Sequence, residues 1–365
     1  MTCEGAAPAG KPFESPMGDP NIHAAIQAWD RLEVRRISPT SAETLKESPR
    51  FSAYRLRNAG FEGADVIAMR CRRRRAVVER WVYEQLLPKA GLSVLRFYGE
   101  MAEADGLMHW LFVEDASGRP YLPGDPACRA VAARWLGAFH VAAAARAQDA
   151  ADTALPSHGV DYYEGLLRSA LDSLRWRRPD VVRAPLPGAQ YASMLDALTA
   201  RCEAVASHWD EVRRACERVP LTIVHGDFAD RNLRIRDGND KIAGCRSLPA
   251  GGYVASQLVL YPFDWEDAAW GPPAIDLIQD DTDRTYDAAN ADLSVYLDTV
   301  TPYWPGLDEN AIRTLSEIGR LFWLILAIQQ DSTCVAPEWI EQRLRNFQLY
   351  ADGLAQAFGM LGWKP

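Results

Sequence analysis

No run of about 18 or more consecutive apolar residues occurs in the 365-residue chain, so no membrane-spanning helix is expected. The first twenty residues lack a positive segment followed by an apolar stretch and do not read as a secretory signal. They are rich in Pro, Gly and Ala, so residues 1–20 are expected as a mobile tail. The cysteines (Cys3, Cys71, Cys128, Cys202, Cys216, Cys245 and Cys334) include no pair at metal-ligand spacing, and their number is odd. That pattern argues against a disulfide framework and for free thiols in a reducing cytoplasm. Positive charge is not in excess either. The formal net charge of -9 argues against nucleic acid as the main partner. No internal repeat is visible.

What is present is an ordinary globular composition, 48% apolar and 24% charged, in a chain long enough for two domains. Residues 51–116 read as strands around one helix. FSAYRL, DVIAMRC, VLRFYGEM and HWLFVED have strand character, and EADG makes a turn between the last two. RRRRAVVERWVYEQLL has helical spacing, with Val77, Val78, Trp81, Val82 and Leu86 sharing much of one face. From about residue 126 the pattern turns helical, interrupted by two strand-like pieces, LTIVHGDF and LVLYPFDWE. The expected class is α+β, two-lobed, with an N-terminal lobe over 21–116 and a mostly helical C-terminal lobe over 117–365. PDVVRAPLPG reads as a loop, and 237–257 as an irregular Gly-rich insertion with Arg246 and Tyr253 as its contact candidates.

The chemistry concentrates after the first strand-like piece. In LTIVHGDFADRNL an apolar strand ends at Val224, and His225, Asp227 and Asn232 follow at i, i+2 and i+7. In LVLYPFDWEDAAWG, Asp264 follows a second apolar run. Phosphoryl transfer needs one carboxylate to orient the attacking hydroxyl, and oxygen donors to hold Mg2+ against the nucleotide phosphates. Asp227, Asn232 and Asp264 are of the right types.

HGDFADRNL followed by FDWEDAAWGPPAIDL resembles the aminoglycoside phosphotransferase and choline kinase superfamily, over about residues 50–358. The resemblance implies a protein-kinase-like fold and transfer of a γ-phosphate from ATP, or GTP, to a small-molecule hydroxyl. It implies Asp227 as catalytic base, Asn232 and Asp264 as magnesium ligands, His225 as a mainly structural loop residue and Asp276 as a brace of the catalytic loop. It places the adenine-binding hinge at HWLFVED, with Glu114 and Ala116 at its edge. His140, in ARWLGAFH, reads as a packed helix residue.

One position departs from the pattern. A strand lysine that reaches the α- and β-phosphates and pairs with a helix glutamate is expected at DVIAMR, where this chain has Met69. Glu79 is the expected glutamate, with Glu84 the alternative. Three readings stay open: Arg70 or an arginine among Arg72 to Arg75 takes over the phosphate contact, magnesium alone suffices, or the nucleotide site is degenerate and the chain is a pseudokinase-like binding protein. Arg70 itself is expected on the opposite strand face from Met69. The basic run 70–75 also suggests an acidic peptide or protein partner, and a peptide hydroxyl is a further alternative substrate. Substrate contacts are expected from Trp265, Glu266, Asp280, Asp281 and Asp283. The substrate classes considered are antibiotic, amino alcohol, sugar and nucleoside-like metabolite.

Overall fold

Short runs rich in β-branched, aromatic and other apolar residues in the first third of the chain fold into an antiparallel ladder. The computed structural model describes residues 20–32, 37–147, 154–183, 188–238, 258–280, 286–333 and 340–364. The expected tail and most of the 237–257 segment, with Arg246 and Tyr253, lie outside these residues, as do Asp281 and Asp283. The chain divides into two units, one of residues 1–76 and 96–115, the other of residues 77–95 and 116–365. The segment 77–95, expected with the first lobe, therefore groups with the second unit.

The first unit holds α1 (Pro20–Arg31) and strands β1 (Ser41–Glu47), β2 (Phe51–Arg57), β3 (Val66–Arg72), β4 (Phe97–Ala102) and β5 (Met108–Glu114), paired in the order β1-β2-β3-β5-β4. The four expected strands are present. β1 is an addition, and only Ala42 of it is buried, so its sequence carries no apolar alternation. One sheet face presents Tyr54, Leu56, Val66, Ala68, Trp110 and Phe112 to Ile22, Ala25 and Trp29 of α1. Trp29 packs edge-on to Tyr98 at 5.5 Å and against Phe112 at 5.4 Å. The other face gathers Phe51, Met69, Cys71, Phe97 and Leu111 with Ala76. The helix α2 (Arg73–Trp81) starts directly after β3.

In the second unit α3 (Leu87–Ala90) precedes the short strand β6 (Arg119–Pro120) and four helices: α4 (Pro126–Ala144), α5 (Val160–Arg183), α6 (Gly188–Ser207) and α7 (Trp209–Cys216). Asp125 caps α4 by accepting from the Ala127 N–H at 2.9 Å, with Pro126 in the first turn. Strands β7 (Thr222–Val224), β8 (Leu233–Asp237), β9 (Leu258–Pro262) and β10 (Ala269–Gly271) form two small sheets, β10-β7 and β6-β8-β9. They are followed by α8 (Leu293–Val300), α9 (Glu309–Thr333) and α10 (Ile340–Leu361). The apolar stripe of α9 (Ile312, Leu315, Ile318, Phe322, Ile325) is buried, and Phe322 stacks on Tyr163 of α5 at 3.9 Å. Gly319 lets α9 approach the 273–277 turn, since a Cβ there would meet the Ala274 carbonyl oxygen at 1.9 Å. No described helix is long and apolar enough to cross a membrane.

Candidate active site

The loop that carries His225, Asp227 and Asn232 begins where β7 ends. Backbone groups at that point have left the ladder, and a buried carboxylate takes them over. Asp276, in the turn against α9, accepts the His225 N–H at 2.6 Å and the Gly226 N–H at 2.9 Å, one on each oxygen. His140 of α4 approaches the same carboxylate through Nε2 at 3.2 Å, while its Nδ1 meets the Tyr296 hydroxyl at 2.9 Å. Both His140 and Asp276 side chains are fully buried. His140 thus links α4, α8 and the loop from inside, as a packed residue. Gly226 turns the chain at φ +80, and an added Cβ would meet the Asp267 carbonyl oxygen at 2.4 Å.

His225 is also fully buried. Its Nε2 lies 3.1 Å from the Phe263 carbonyl, and its ring packs on Trp265 at 4.4 Å. Trp265 has no exposed surface and touches Trp135 and Phe139 of α4 as well. A ring enclosed on every side offers nothing to a ligand, so the expectation of a substrate contact from Trp265 is corrected to a packing role under the loop. Asp280 lines a small pocket with Tyr286 and Trp323. It is 3% exposed, accepts the Tyr286 N–H at 3.2 Å, and exchanges backbone and side-chain bonds with Asn290. That network joins it to the 286–290 segment. Glu266 is exposed.

Asp227 is a partly exposed acid of the loop, its side chain 22% exposed. Three neighbours hold its carboxylate. Asn232 donates Nδ2 to Oδ2 at 2.8 Å, Arg231 Nη2 lies 2.8 and 2.7 Å from the two oxygens, and the Tyr286 hydroxyl donates to Oδ1 at 3.3 Å. Burial opposes the Arg231 charge, but Asp227, Tyr286 and Asp287 outweigh it and raise its pKa above the usual arginine value. Burial first, then the Asp227 charge, pushes the Tyr286 phenol well above its ordinary pKa, so it stays a neutral O–H donor. Neither residue was singled out in the sequence. Arg231 lies inside the quoted motif, four residues after Asp227, and its spacing was a usable signal. Tyr286 had none, because it arrives through tertiary pairing: Asp230 N–H donates to the Asp287 carbonyl at 3.0 Å, and Ala229 bridges to Ala288.

Asn232 and Asp264, 32 positions apart, are joined by the β8–β9 ladder. Leu233 pairs with Pro262, and the Phe263 N–H donates to the Asn232 carbonyl at 3.1 Å. Asp264 therefore stands two residues beyond the end of β9, next to the Phe263 that bonds Asn232, at φ 69, a conformation uncommon for a side-chain-bearing residue. Among the described residues no group of three or more His, Cys, Asp or Glu side chains could hold a metal ion. A cavity of about 560 Å³ opens elsewhere in the same unit, lined by Asp161, Tyr162, Arg213 and Pro220 among others, and it includes none of the loop residues.

In the first unit, Arg70 faces away from Met69. It forms a two-point ion pair with Glu103 at 2.6 and 2.7 Å, and Glu103 also accepts from Trp110 Nε1 at 3.0 Å. The Arg70 side chain therefore lies on the α1 side of the sheet, on the opposite face from Met69, as the strand alternation predicts. The rest of the basic run is divided as well: Arg72, Arg73 and Arg74 are exposed, while Arg75 is half-buried. Glu79 is fully buried in α2, and Glu84 is exposed. Glu114 ends β5 and accepts the Arg96 N–H at 3.2 Å. Ala116, the first residue back in the second unit, is buried, and its carbonyl accepts from Arg236 Nε at 2.7 Å.

The family model described as APH, phosphotransferase enzyme family, matches residues 43–245, which include His225, Asp227 and Asn232. No curated protein matches the chain. Solved structures are similar to it along most of their length. A point mutant of aminoglycoside 2'-phosphotransferase IIIa in its GDP complex has 17% identity and a TM-score of 0.59, covering 92% of this chain and 98% of its own. The macrolide 2'-phosphotransferase of Brachybacterium faecium has 17% identity and a TM-score of 0.52, covering 91% and 97%. Spectinomycin phosphotransferase in complex with ADP and spectinomycin has 10% identity and a TM-score of 0.51, covering 91% and 97%.

Proposed function

This chain belongs to the APH phosphotransferase enzyme family, and on that premise we propose that it transfers the γ-phosphoryl group of ATP, or GTP, to a hydroxyl group of a small molecule of the antibiotic class. The observation that carries the reading is that Asn232 bonds Asp227 through its side chain and Phe263, next to Asp264, through its backbone, so that the backbone of Asp264 follows directly on the Asp227 loop.

The residues act as follows. Asp227 orients the substrate hydroxyl and accepts its proton as the oxygen attacks the γ-phosphorus. The bond from the γ-phosphorus to the bridging oxygen breaks, and the nucleoside diphosphate leaves with that electron pair. Asn232 and Tyr286 fix the carboxylate, so its orientation costs little at the moment of reaction. Arg231 lies on both Asp227 oxygens and has to yield one of them to the incoming hydroxyl. Half of its side chain is exposed, which leaves room for that movement. The Asn232 amide oxygen and the Asp264 carboxylate are a donor set that suits Mg2+, an ion that takes oxygen ligands and completes its shell with phosphates and water. When bound, Mg2+ neutralises phosphate charge.

Substrate discrimination falls to the wall next to Asp227. Tyr286 packs on Trp323 of α9 at 5.3 Å, and Trp323 meets Tyr350 of α10 at 6.1 Å. The Tyr350 hydroxyl donates to Asp331 at 3.0 Å. A series of rings with a carboxylate at its end suits a substrate with both an apolar face and a polar or cationic group.

Titration calorimetry with Mg·ATP and Mg·GTP tests the nucleotide part, with Asp264→Ala as control. Binding to the wild type that is lost in the variant is the expected result. Failure of well-folded protein to bind either nucleotide would leave a pseudokinase-like protein. A mass-spectrometric screen of hydroxyl-bearing antibiotics for an 80 Da gain, about the mass of one phosphoryl group, tests the acceptor class.

A further inference from the structure

Position 69 lacks the cation that a phosphate-binding strand is expected to carry, and its surroundings say where that charge has gone. Met69 pairs across the sheet with Ala53 and Leu111, and its side chain lies on the face shared by Phe51, Cys71 and Phe97. Six residues later, in the first turn of α2, Arg75 reaches back over this face. Its Nη2 is 4.0 Å from the Met69 sulfur, and its guanidinium carbon is 4.2 Å from the centre of the Phe51 ring. The end of the Met69 side chain and the Arg75 guanidinium thus share one place above β3.

The other nearby cations fit less well. Arg70 is on the opposite face, held at two points by Glu103, and Arg72, Arg73 and Arg74 are exposed. Lys46 approaches the Phe51 ring from β1 at the greater distance of 5.4 Å and is exposed.

The Phe51 ring supports the guanidinium at 4.2 Å, and the planar fork suits phosphate oxygens. The thioether of Met69 allows the guanidinium to lie there, whereas a lysine at 69 would put a like charge beside it. Glu79 follows Arg75 by four residues on α2, the spacing at which helical side chains are neighbours, so an acidic residue suited to holding a phosphate-binding cation is already on the same helix.

Resting on the nucleotide reading above, we propose that Arg75 binds the phosphates of the nucleotide, its guanidinium taking the place of a strand lysine at position 69. Met69 and Arg75 then form one compensated pair, with the charge moved from the strand to the helix that follows it.

Calorimetry with Mg·ATP and with adenosine separates phosphate contacts from base contacts. Arg75→Ala is expected to weaken Mg·ATP by about 10- to 100-fold, the size of a charge-assisted hydrogen bond, and to leave adenosine unchanged. Arg73→Ala, which removes an exposed charge of the same run, is expected to change neither. Met69→Lys alone is expected to bring no gain, and the swap Met69→Lys with Arg75→Met to recover most of the Mg·ATP affinity. If Arg75→Ala fails to fold, the swap variant carries the test, and a folded swap variant with no affinity for Mg·ATP overturns the proposal. Arg75→Ala binding Mg·ATP within about twofold of wild type overturns it too. If Asp264→Ala loses binding in that same experiment, the nucleotide reading stands without Arg75. A wild type that binds neither nucleotide overturns both.

Discussion

Asn232 and Asp227 are bonded twice: the Asn232 side-chain Nδ2 donates to the Asp227 carbonyl at 3.0 Å and to its Oδ2 at 2.8 Å. One amide therefore fixes both the backbone and the carboxylate of the loop acid, and its own oxygen points away from that carboxylate. With Asn232 4% exposed, the arrangement is held from inside the second unit. The two residues are expected to separate in mutant kinetics. Asp227→Asn should lower turnover by about 10²- to 10⁴-fold, the usual contribution of a general base, while Mg·ATP binding stays. Asn232→Ala should lower turnover and nucleotide binding together. Calorimetry beside a steady-state assay on any accepted hydroxyl compound reads both.

Asp276 and Gly226 should register in stability first. Asp276 accepts two buried backbone N–H groups, and Asp276→Ala leaves both without that acceptor, a loss of about 2–5 kcal/mol. Gly226→Ala puts a Cβ against the Asp267 carbonyl at a positive φ, and a loss of similar size is expected. Urea unfolding of both variants, with His140→Ala for comparison, measures the losses. A Gly226→Ala protein as stable as wild type would contradict the close approach.

Tyr286 is linked to the loop acid by one hydroxyl. Tyr286→Phe removes that donor and keeps the ring against Trp323. Turnover is expected to fall about 3- to 30-fold, the size of a single hydrogen bond to a charged group, with little change in KM for the acceptor. Trp323→Ala should do the reverse and raise acceptor KM with turnover less affected. Equal effects from the two variants would mean that wall and acid do not have separate roles.

The Arg70–Glu103 pair makes a pH-dependent contribution. The Arg70 hydrogen bonds hold the Glu103 carboxyl below its ordinary pKa, with burial opposing. A carboxylate depressed in the folded state adds stability that is fully present above its unfolded pKa and is lost as pH falls through the lower folded value. Arg70→Met is therefore expected to cost about 1 kcal/mol at pH 7 and less as pH drops below about 4.5, because wild type loses the contribution there and the variant has none to lose. Mg·ATP affinity of this variant should stay at the wild-type level. A fall comparable to that of Arg75→Ala would return Arg70 to the nucleotide.

Much of the site was legible before the fold, because its residues are close together in the chain. His225, Asp227 and Asn232 lie within one strand-to-strand turn, where local spacing alone brings them together. Short runs of strand character likewise announced four of the five strands of the first unit. The misreading came where burial had to be guessed. Trp265 reads as a pocket residue because an aromatic ring near a motif resembles recognition chemistry, yet it is fully enclosed. Whether such a side chain meets solvent depends on a helix as distant in sequence as α4. Arg231 is readable from its spacing, four residues after Asp227.

The sequence by itself determined the residue types of a phosphoryl-transfer loop, the order of its strands and the absence of a lysine at position 69, since these depend on identity and local period. The tertiary structure decided which donors surround the acid, through the pairing of 229–230 with 287–288. It closed the 32-position gap between Asn232 and Asp264 with a strand ladder. It also decided which of the consecutive arginines reaches the Met69 side chain. Five similar charges in one run carry no information about direction. Direction is set by the alternation of strand faces, the start of α2 and the Phe51 ring on which a single guanidinium can rest.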